Sequence, residues 1–145
     1  MPAETKREGP FWDVVEGRAP APPAAELLGY ELIEADTEAE TIEVAFDGSE
    51  RFLNPAGVIQ GGLLAAMLDD TLGTALIAVL DPGEWAPTTD LHVQFLEPAK
   101  PGRLIGRGRV ARRGSQIAQL AGELTADDGT VVATAIATAV IHSDE

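Results

Sequence analysis

Residues 61–79 have the sequence GGLLAAMLDDTLGTALIAV, and this stretch decides the fold. Leucine, alanine, methionine or isoleucine occupies most positions, which predicts a long helix that is apolar on almost all of its sides. Asp69 and Asp70 lie side by side near the middle, and this pair of acids argues against a membrane-spanning helix. An apolar helix of this kind is stable in water only when other elements of the chain surround it.

The flanking segments have the two-residue periodicity of β-strands. Strand character begins at Tyr30 and is clearest at residues 41–46, TIEVAF, before a turn predicted at residues 47–50. Beyond the helix, which turn-forming residues should end at Asp81-Pro82-Gly83, strands are predicted over residues 88–96, 103–112, 116–126 and 131–141. Turn residues between these strands predict hairpin connections. The predicted fold class is therefore α+β, with an antiparallel sheet curled around one central helix.

The amino-terminal segment precedes this unit as an arm. It contains four apolar side chains at near-helical spacing, Phe11, Trp12, Val14 and Val15. That spacing predicts a short helix that packs on the body of the protein. Residues 18–25, RAPAPPAA, predict an extended or turn-like connector. The expected organisation is an arm with its connector over residues 1–25 and a single domain over residues 26–145.

The composition excludes several classes of protein. The chain has 145 residues, 24 acidic and 10 basic side chains, a formal net charge of −14 and no cysteine. Such a charge repels phosphate backbones and anionic lipid head groups, so general binding to nucleic acid or membrane is not expected. The missing cysteines exclude thiol nucleophiles and cysteine-based zinc sites. The polar amino terminus predicts a cytoplasmic protein, and no cofactor or metal is expected.

The start of the long helix holds the clearest chemical signal. Gly61 and Gly62 leave backbone N–H groups uncovered by side chains, and the helix dipole adds a partial positive charge there. This arrangement suits an anion or the oxyanion of a reacting carbonyl. The same glycines would also permit close packing of the helix against the sheet, and their spacing alone leaves both explanations open.

The two acids in the helix require an explanation as well. A carboxylate of Asp69 buried among Leu68, Leu72 and Met67 would cost several kcal/mol unless it were paired, which favours a functional role for it. The alternative is that an acid faces solvent where the apolar surface is interrupted. Adjacent helical side chains differ by about 100° in direction, so Asp69 and Asp70 cannot both enter one small site, and at least one should face solvent.

With these features the sequence resembles the hotdog-fold acyl-CoA thioesterases, and among them the PaaI-type branch of the phenylacetate pathway. The resemblance spans about residues 29–141, including the strand TTDLHVQFLEPA at 88–99 and the hairpin DGTVVA at 128–133. The family pattern is an Asn, a His-Gly-Gly six residues later, and an acid nine residues after the His. In this chain the pattern is Asn54, Gln60-Gly61-Gly62 and Asp69.

The resemblance implies a role for each matched position. The N–H of Gly61, with Gly62 beside it in substrate binding, would polarise the thioester carbonyl. Asp69 would act as the nucleophile or as a general base toward water. Asn54 would position the water or the carboxylate, and Thr88 would supply a supporting hydroxyl.

The helix geometry then requires two chains per site. Gly61 and Asp69 are eight residues apart, which is about 12 Å along a helix, so they cannot act on one carbonyl. A site must combine Gly61 of one protomer with Asp69 of another, and the expected assembly is a homodimer with two sites, or a dimer of dimers forming a homotetramer. This agrees with the family, whose active sites lie at the dimer interface.

Gln60 departs from the family pattern, which has His at this position. If that His only forms hydrogen bonds, the amide of Gln60 can replace it, because Gln both donates and accepts. If it titrated during turnover, activity would suffer. We favour the first account, which keeps Gln60 in the site. His92 and His142 fall within strand patterns and are given no chemical role.

One segment is basic although the chain is acidic. Six of the ten basic residues fall between Lys100 and Arg113, with no acid among them. Several of these arginines are expected on the solvated face of a strand. The turn Arg112-Arg113-Gly114-Ser115 combines guanidinium and backbone N–H groups, and it is the predicted contact for the phosphates of coenzyme A.

The predicted function is therefore hydrolysis of an acyl-CoA thioester, with Gly61 and Asp69 as the central groups. The alternative is a non-catalytic acyl-CoA-binding or regulatory hotdog protein, which the replacement of His by Gln60 suggests. A hotdog hydratase or dehydratase is disfavoured, because no His and acid are arranged for that chemistry. The sequence does not specify the acyl group.

Overall fold

The central helix, α3, spans Gly61–Ile77 in the computed structural model, which describes residues 7–144. The predicted helix is confirmed, and it ends two residues earlier than expected. Eight side chains of α3 are buried: Leu64, Met67, Leu68, Thr71, Leu72, Thr74, Ala75 and Leu76. The remaining side, which includes Asp69, is not covered by the sheet.

Six antiparallel strands form one large sheet against α3. They are β1 (Glu31–Asp36), β2 (Thr41–Gly48), β4 (Thr88–Phe95), β5 (Gly102–Arg113), β6 (Ile117–Ala126) and β7 (Val131–Val140). Their order is β1-β2-β5-β6-β7-β4, so β1 and β4 are the two edges. The four strands predicted after the helix are confirmed to within one residue at each end. The predicted antiparallel sheet around one helix is confirmed as well.

Three smaller features differ from the expectations. Asp47 and Gly48 belong to β2 rather than to a turn, and a 3-10 helix follows at Glu50–Phe52. A second, two-stranded sheet pairs β3 (Glu84–Trp85) with β8 (His142–Ser143). Strands of two residues have too little periodicity to be predicted.

Glycines in the middle of the sheet let α3 lie close to it. A Cβ atom at Gly106 would collide with the side chain of Thr71, and one at Gly108 would lie 3.1 Å from the Thr71 carbonyl oxygen. The Thr71 hydroxyl is fully buried and donates to the Met67 carbonyl at 2.8 Å. Strand β5 therefore fixes the middle of α3, next to the two acids.

The arm forms two short helices, α1 (Pro10–Val15) and α2 (Pro23–Leu28). The predicted helix around Trp12 is confirmed, and Trp12 is only 3% exposed. The expectation that the connector extends through residue 25 is wrong for residues 23–25, because helix α2 begins at Pro23. Proline is well suited to the first position of a helix, and Gly29 ends α2 with a φ of 68°. The predicted boundary between residues 25 and 26 lies within α2, and the division into arm and domain stays a prediction.

Candidate functional site

The amino terminus of α3 presents two free backbone donors. Gln60 precedes the helix in an extended conformation, and its side chain makes no capping hydrogen bond. The first N–H with a partner is that of Leu63, which donates to the Gln60 carbonyl at 2.9 Å. Within residues 7–144, the N–H groups of Gly61 and Gly62 have no acceptor. Because the helix dipole is positive at this end, the pair can bind an oxyanion.

An aromatic ring covers one side of these donors. A Cβ atom at Gly61 would lie 3.2 Å from Cζ of Phe95, the last residue of β4. Phe95 is itself 54% exposed, so its ring is an exposed neighbour of Gly61 rather than part of the core. Phe95 was not among the predicted site residues. The only available signal was a bulky apolar residue at the end of a predicted strand.

The loop before α3 is shaped by Asn54. The Asn54 Oδ1 atom accepts hydrogen bonds from the N–H groups of Ala56 at 3.0 Å and Val58 at 3.3 Å. The Gln60 N–H donates to the Phe52 carbonyl at 2.8 Å, which fixes the chain just before the helix. In this structure Asn54 therefore holds the loop that presents Gly61, and its amide nitrogen stays available for another partner.

The structure distinguishes the two adjacent acids. Asp69 is exposed, and Asp70 is half-buried. The expectation that Asp69 is buried among leucines is wrong for the single chain, because the sheet covers the side of α3 that holds Leu68 and Leu72. The alternative, that one of the two acids faces solvent, is confirmed. Asp69 lies on the uncovered side of α3 together with Gly62 and Gly73.

Burial changes the acidity of the second carboxyl. Burial, together with a smaller contribution from the neighbouring charge of Asp69, raises the pKa of Asp70 to about 6. Tyr30 faces the same region, and its hydroxyl donates to Thr74 Oγ1 at 3.0 Å. Burial is also the main reason why the pKa of Tyr30 is raised above its ordinary value.

The ionised Asp70 carboxylate should lower the free energy of unfolding at neutral pH. Asp70→Asn should remove this penalty and raise the free energy of unfolding. The folded-state pKa is raised, so the full penalty is present above about pH 6 and shrinks to a small remainder near pH 4, where the carboxyl is protonated in the folded state and about half-protonated in the unfolded state. We expect a gain of about 1–2 kcal/mol at pH 7.5, allowing for partial solvent exposure. Thermal unfolding of both proteins at pH 7.5 and pH 4 measures this. An equal difference at the two pH values would contradict it.

The remaining expected residues occupy separate places. Thr88 begins β4 and is half-buried, opposite Ala139 of β7. Gly61 and Asp69 lie on one helix, about 12 Å apart along its axis, so a single chain does not bring them together.

The predicted turn at residues 112–115 is wrong for Arg112 and Arg113, which are the last two residues of β5, and the two arginines have different surroundings. Arg112, Gly114 and Ser115 line a shallow depression of about 350 Å³. Arg113 does not, because its guanidinium donates to the Val79 carbonyl at 2.9 Å and pairs with Glu84 at 2.9 Å. Arg113 thus holds the chain just after α3, a role that the sequence analysis missed because its partners lie about 30 residues away.

Residues 7–144 contain no group of three or more acidic or histidine side chains that could hold a metal ion. Their helices include none that is long and apolar enough to cross a membrane.

The comparisons with known proteins agree with this architecture. The profile of the thioesterase superfamily matches residues 56–133. A candidate esterase of Saccharolobus solfataricus is 30% identical over 110 residues, 76% of each chain. A solved candidate thioesterase of Ralstonia eutropha JMP134, related to phenylacetic acid degradation, is 42% identical with a TM-score of 0.87, covering 90% of this chain and 98% of its own.

The structure of Escherichia coli PaaI, from the phenylacetic acid degradation operon, is 21% identical with a TM-score of 0.78. It covers 92% of this chain and 93% of its own, and at this identity the likeness concerns the fold. The profile match extends over half of the chain and contains Gly61 and Asp69. This chain therefore belongs to the thioesterase superfamily and has its hotdog fold, which supports a thioester hydrolase function.

Proposed function

We propose that the protein hydrolyses acyl-CoA thioesters at two sites shared between protomers. The observation that carries this proposal is the pair of N–H groups of Gly61 and Gly62 at the positive end of α3, which have no acceptor among residues 7–144, with Asp69 exposed on the same helix. Donors of this kind stabilise the negative charge that develops on a carbonyl oxygen during acyl transfer. A carboxylate is the group that activates water or attacks the carbonyl itself.

In the proposed hydrolysis, Gly61 polarises the carbonyl and Asp69 supplies the carboxylate. The thioester carbonyl accepts a hydrogen bond from Gly61, and water, activated by Asp69 of the partner, adds to the carbonyl carbon. The carbon–sulfur bond breaks, the acid is released, and the thiolate of coenzyme A takes up the proton. In the nucleophilic variant an Asp69 oxygen adds first and the thiolate leaves, and water then adds to the Asp69 side-chain carbonyl carbon of the mixed anhydride, so the acid departs with the oxygen that Asp69 contributed. A single turnover in ¹⁸O-water separates this route from the general-base route, because here the label enters Asp69 and stays out of the first acid released.

Two features support a dimer that completes these sites. Strand β4 is an edge strand of eight residues with one side unpaired within the described chain, and edge strands of this length readily pair with another chain. The side of α3 that holds Asp69 is not covered by the protein's own sheet. A second protomer that pairs at β4 would cover this side and bring its own Gly61 toward Asp69. Two such dimers could form a homotetramer.

We further propose that Arg112 contacts a phosphate of coenzyme A. Arg112 is exposed at the depression beside Gly114 and Ser115, and among residues 7–144 it forms no ion pair. An unpaired guanidinium is suited to a phosphate group.

The neighbouring arginines provide a matched test of this contact. Arg112→Ala should raise KM for the CoA thioester roughly 5- to 10-fold with little change in stability, since one charge-assisted contact is lost. Arg113→Ala should leave KM close to that of the wild type and lower the free energy of unfolding by about 1–2 kcal/mol, because its partners Val79 and Glu84 are lost. Steady-state kinetics and thermal unfolding of both variants measure this. A higher KM for Arg113→Ala alone would reverse the assignment.

Hydrolysis of a panel of CoA thioesters tests the function itself. The panel should include acetyl-, octanoyl-, benzoyl- and phenylacetyl-CoA, with free thiol release as the readout and equilibrium binding measured in parallel. We expect hydrolysis of at least one of them. Binding without hydrolysis across the panel would instead favour an acyl-CoA-binding protein, the function that Gln60 in place of His first suggests.

A further inference from the structure

A cavity of about 680 Å³ lies between the arm and the carboxyl-terminal half of α3. Phe11 and Trp12 of α1 and Ala25 of α2 line its outer side, and Tyr30, Asp70 and Ile77 line its inner side. Its size is that of a small-molecule pocket, and such pockets are mostly apolar with a few polar groups. The functional assignment does not account for this cavity.

On α3 the cavity begins one residue after Asp69, whose side chain is not part of its lining. Asp70, the residue after Asp69, is on its wall, and Ile77 is its farthest lining residue on α3. Their separation of seven positions corresponds to about 10 Å along the helix axis. That length exceeds an acetyl or butyryl group and is comparable with an octanoyl chain.

The hydroxyl groups on the inner wall of the cavity already donate hydrogen bonds to neighbouring groups of the protein. Tyr30 donates to Thr74 Oγ1 at 3.0 Å, and the Thr74 hydroxyl donates to the Asp70 carbonyl at 2.8 Å. These bonds occupy both hydroxyl hydrogens. Five acidic residues also line the cavity, and most of its other lining residues are aliphatic or aromatic: the acids are Glu8, Asp13, Asp70, Asp81 and Glu84. A carbon chain therefore fits this wall without leaving a hydroxyl donor unpaired.

From these observations we propose that the cavity receives an acyl chain of medium length, with α1 and α2 as its outer wall. The proposal rests on the proposed thioesterase function, because the carbonyl must lie at Asp69 for the chain to enter beside Asp70. The arm is then a specificity-determining element, and the space between Ala25 and α3 limits how long an acyl group the enzyme accepts.

Two neighbouring alanines of α2 provide a matched pair of variants. Ala25 is half-buried and lines the cavity, whereas Ala24 is exposed and does not. Leucine is a good helix former at either position. Ala25→Leu should therefore narrow the cavity, and Ala24→Leu should leave it unchanged. Ala86→Leu narrows the cavity from another wall, so a folding defect of one variant cannot mimic the result.

The first readout is hydrolysis of butyryl-CoA and octanoyl-CoA by the full-length protein. The wild type and Ala24→Leu should prefer octanoyl-CoA. Ala25→Leu and Ala86→Leu should lose at least 10-fold in kcat/KM for octanoyl-CoA and less than 3-fold for butyryl-CoA, since only the longer chain reaches the narrowed space. A uniform loss for both substrates, or the same profile for Ala24→Leu and Ala25→Leu, would overturn the proposal.

The second readout does not depend on turnover. Both tryptophans of the chain, Trp12 and Trp85, line the cavity, so octanoate should change the intrinsic fluorescence of the wild type. The change should persist in Ala24→Leu and be lost in Ala25→Leu. Octanoate binding of this kind without hydrolysis of any thioester would contradict the proposed function and keep the cavity assignment. Hydrolysis without octanoate binding or chain-length preference would contradict the cavity assignment alone.

Discussion

Asp69→Asn is expected to lower kcat on the preferred CoA thioester by about 10²–10⁴, because the amide can neither accept a proton from water nor act as an effective nucleophile. The carboxylate is exposed and forms no ion pair within residues 7–144, so the variant should fold normally. Steady-state kinetics at saturating substrate measure the effect on kcat, and thermal unfolding measures stability. The loss should appear mainly in kcat, since Asp69 is proposed to act on the reacting atoms.

A second acid provides the control for the change in charge. Asp127 is exposed in the turn between β6 and β7, far along the chain from α3, and Asp127→Asn removes the same single charge. Its kcat should stay within about 2-fold of the wild type, because surface charges away from the site act only weakly. If Asp69→Asn and Asp127→Asn had equal rates, Asp69 would have no part in the reaction.

Gly61→Pro is expected to lower kcat by about 10²–10³, the effect of removing one oxyanion donor. Proline has no N–H, and it is tolerated at the first residue of a helix, which is the position of Gly61. Gln60 has a φ of −57° and a ψ of 131°, a conformation that a following proline favours. The substitution therefore removes the donor with little change to the backbone.

Gly61→Ala is the control for the added side chain. Its Cβ atom would approach Phe95 to 3.2 Å, as a proline Cβ also would, and the flexible ring must shift by a few tenths of an ångström in either variant. The alanine variant keeps the N–H, so its kcat should exceed that of Gly61→Pro by about 10-fold or more. Similar losses in the two variants would attribute the effect to the contact with Phe95 and not to the donor.

Combining the two inactive variants tests whether the site is shared. In a heterodimer of Asp69→Asn and Gly61→Pro chains, one site regains both Gly61 and Asp69, and the other has neither. Random mixing after unfolding and refolding should restore about a quarter of the wild-type activity, since half of the dimers are mixed and each has one intact site. A mixture as inactive as its components would show that each chain uses its own two residues or that the chains do not exchange.

Much of the fold could be predicted because its signals are local. The apolar composition of residues 61–79 and the alternation in the strands each depend on neighbours a few positions away. The small sheet of β3 and β8 and the start of α2 at Pro23 were missed, because two-residue strands have no period and a proline-rich segment also suits a connector. For the site, the sequence was sufficient to place Gly61 at the start of a helix, where its N–H has no partner.

By itself the sequence determined that this protein has one apolar helix inside an antiparallel sheet, with two N–H donors at the helix start and two adjacent acids in its middle. Periodicity and helix geometry are sufficient for these conclusions. Only the tertiary structure decided that Asp69 is exposed and Asp70 half-buried, because that depends on which side of α3 the sheet covers. It also decided that Arg113 pairs with Glu84 and that the arm encloses a cavity. Both are contacts between distant residues, and no local pattern in the chain encodes them.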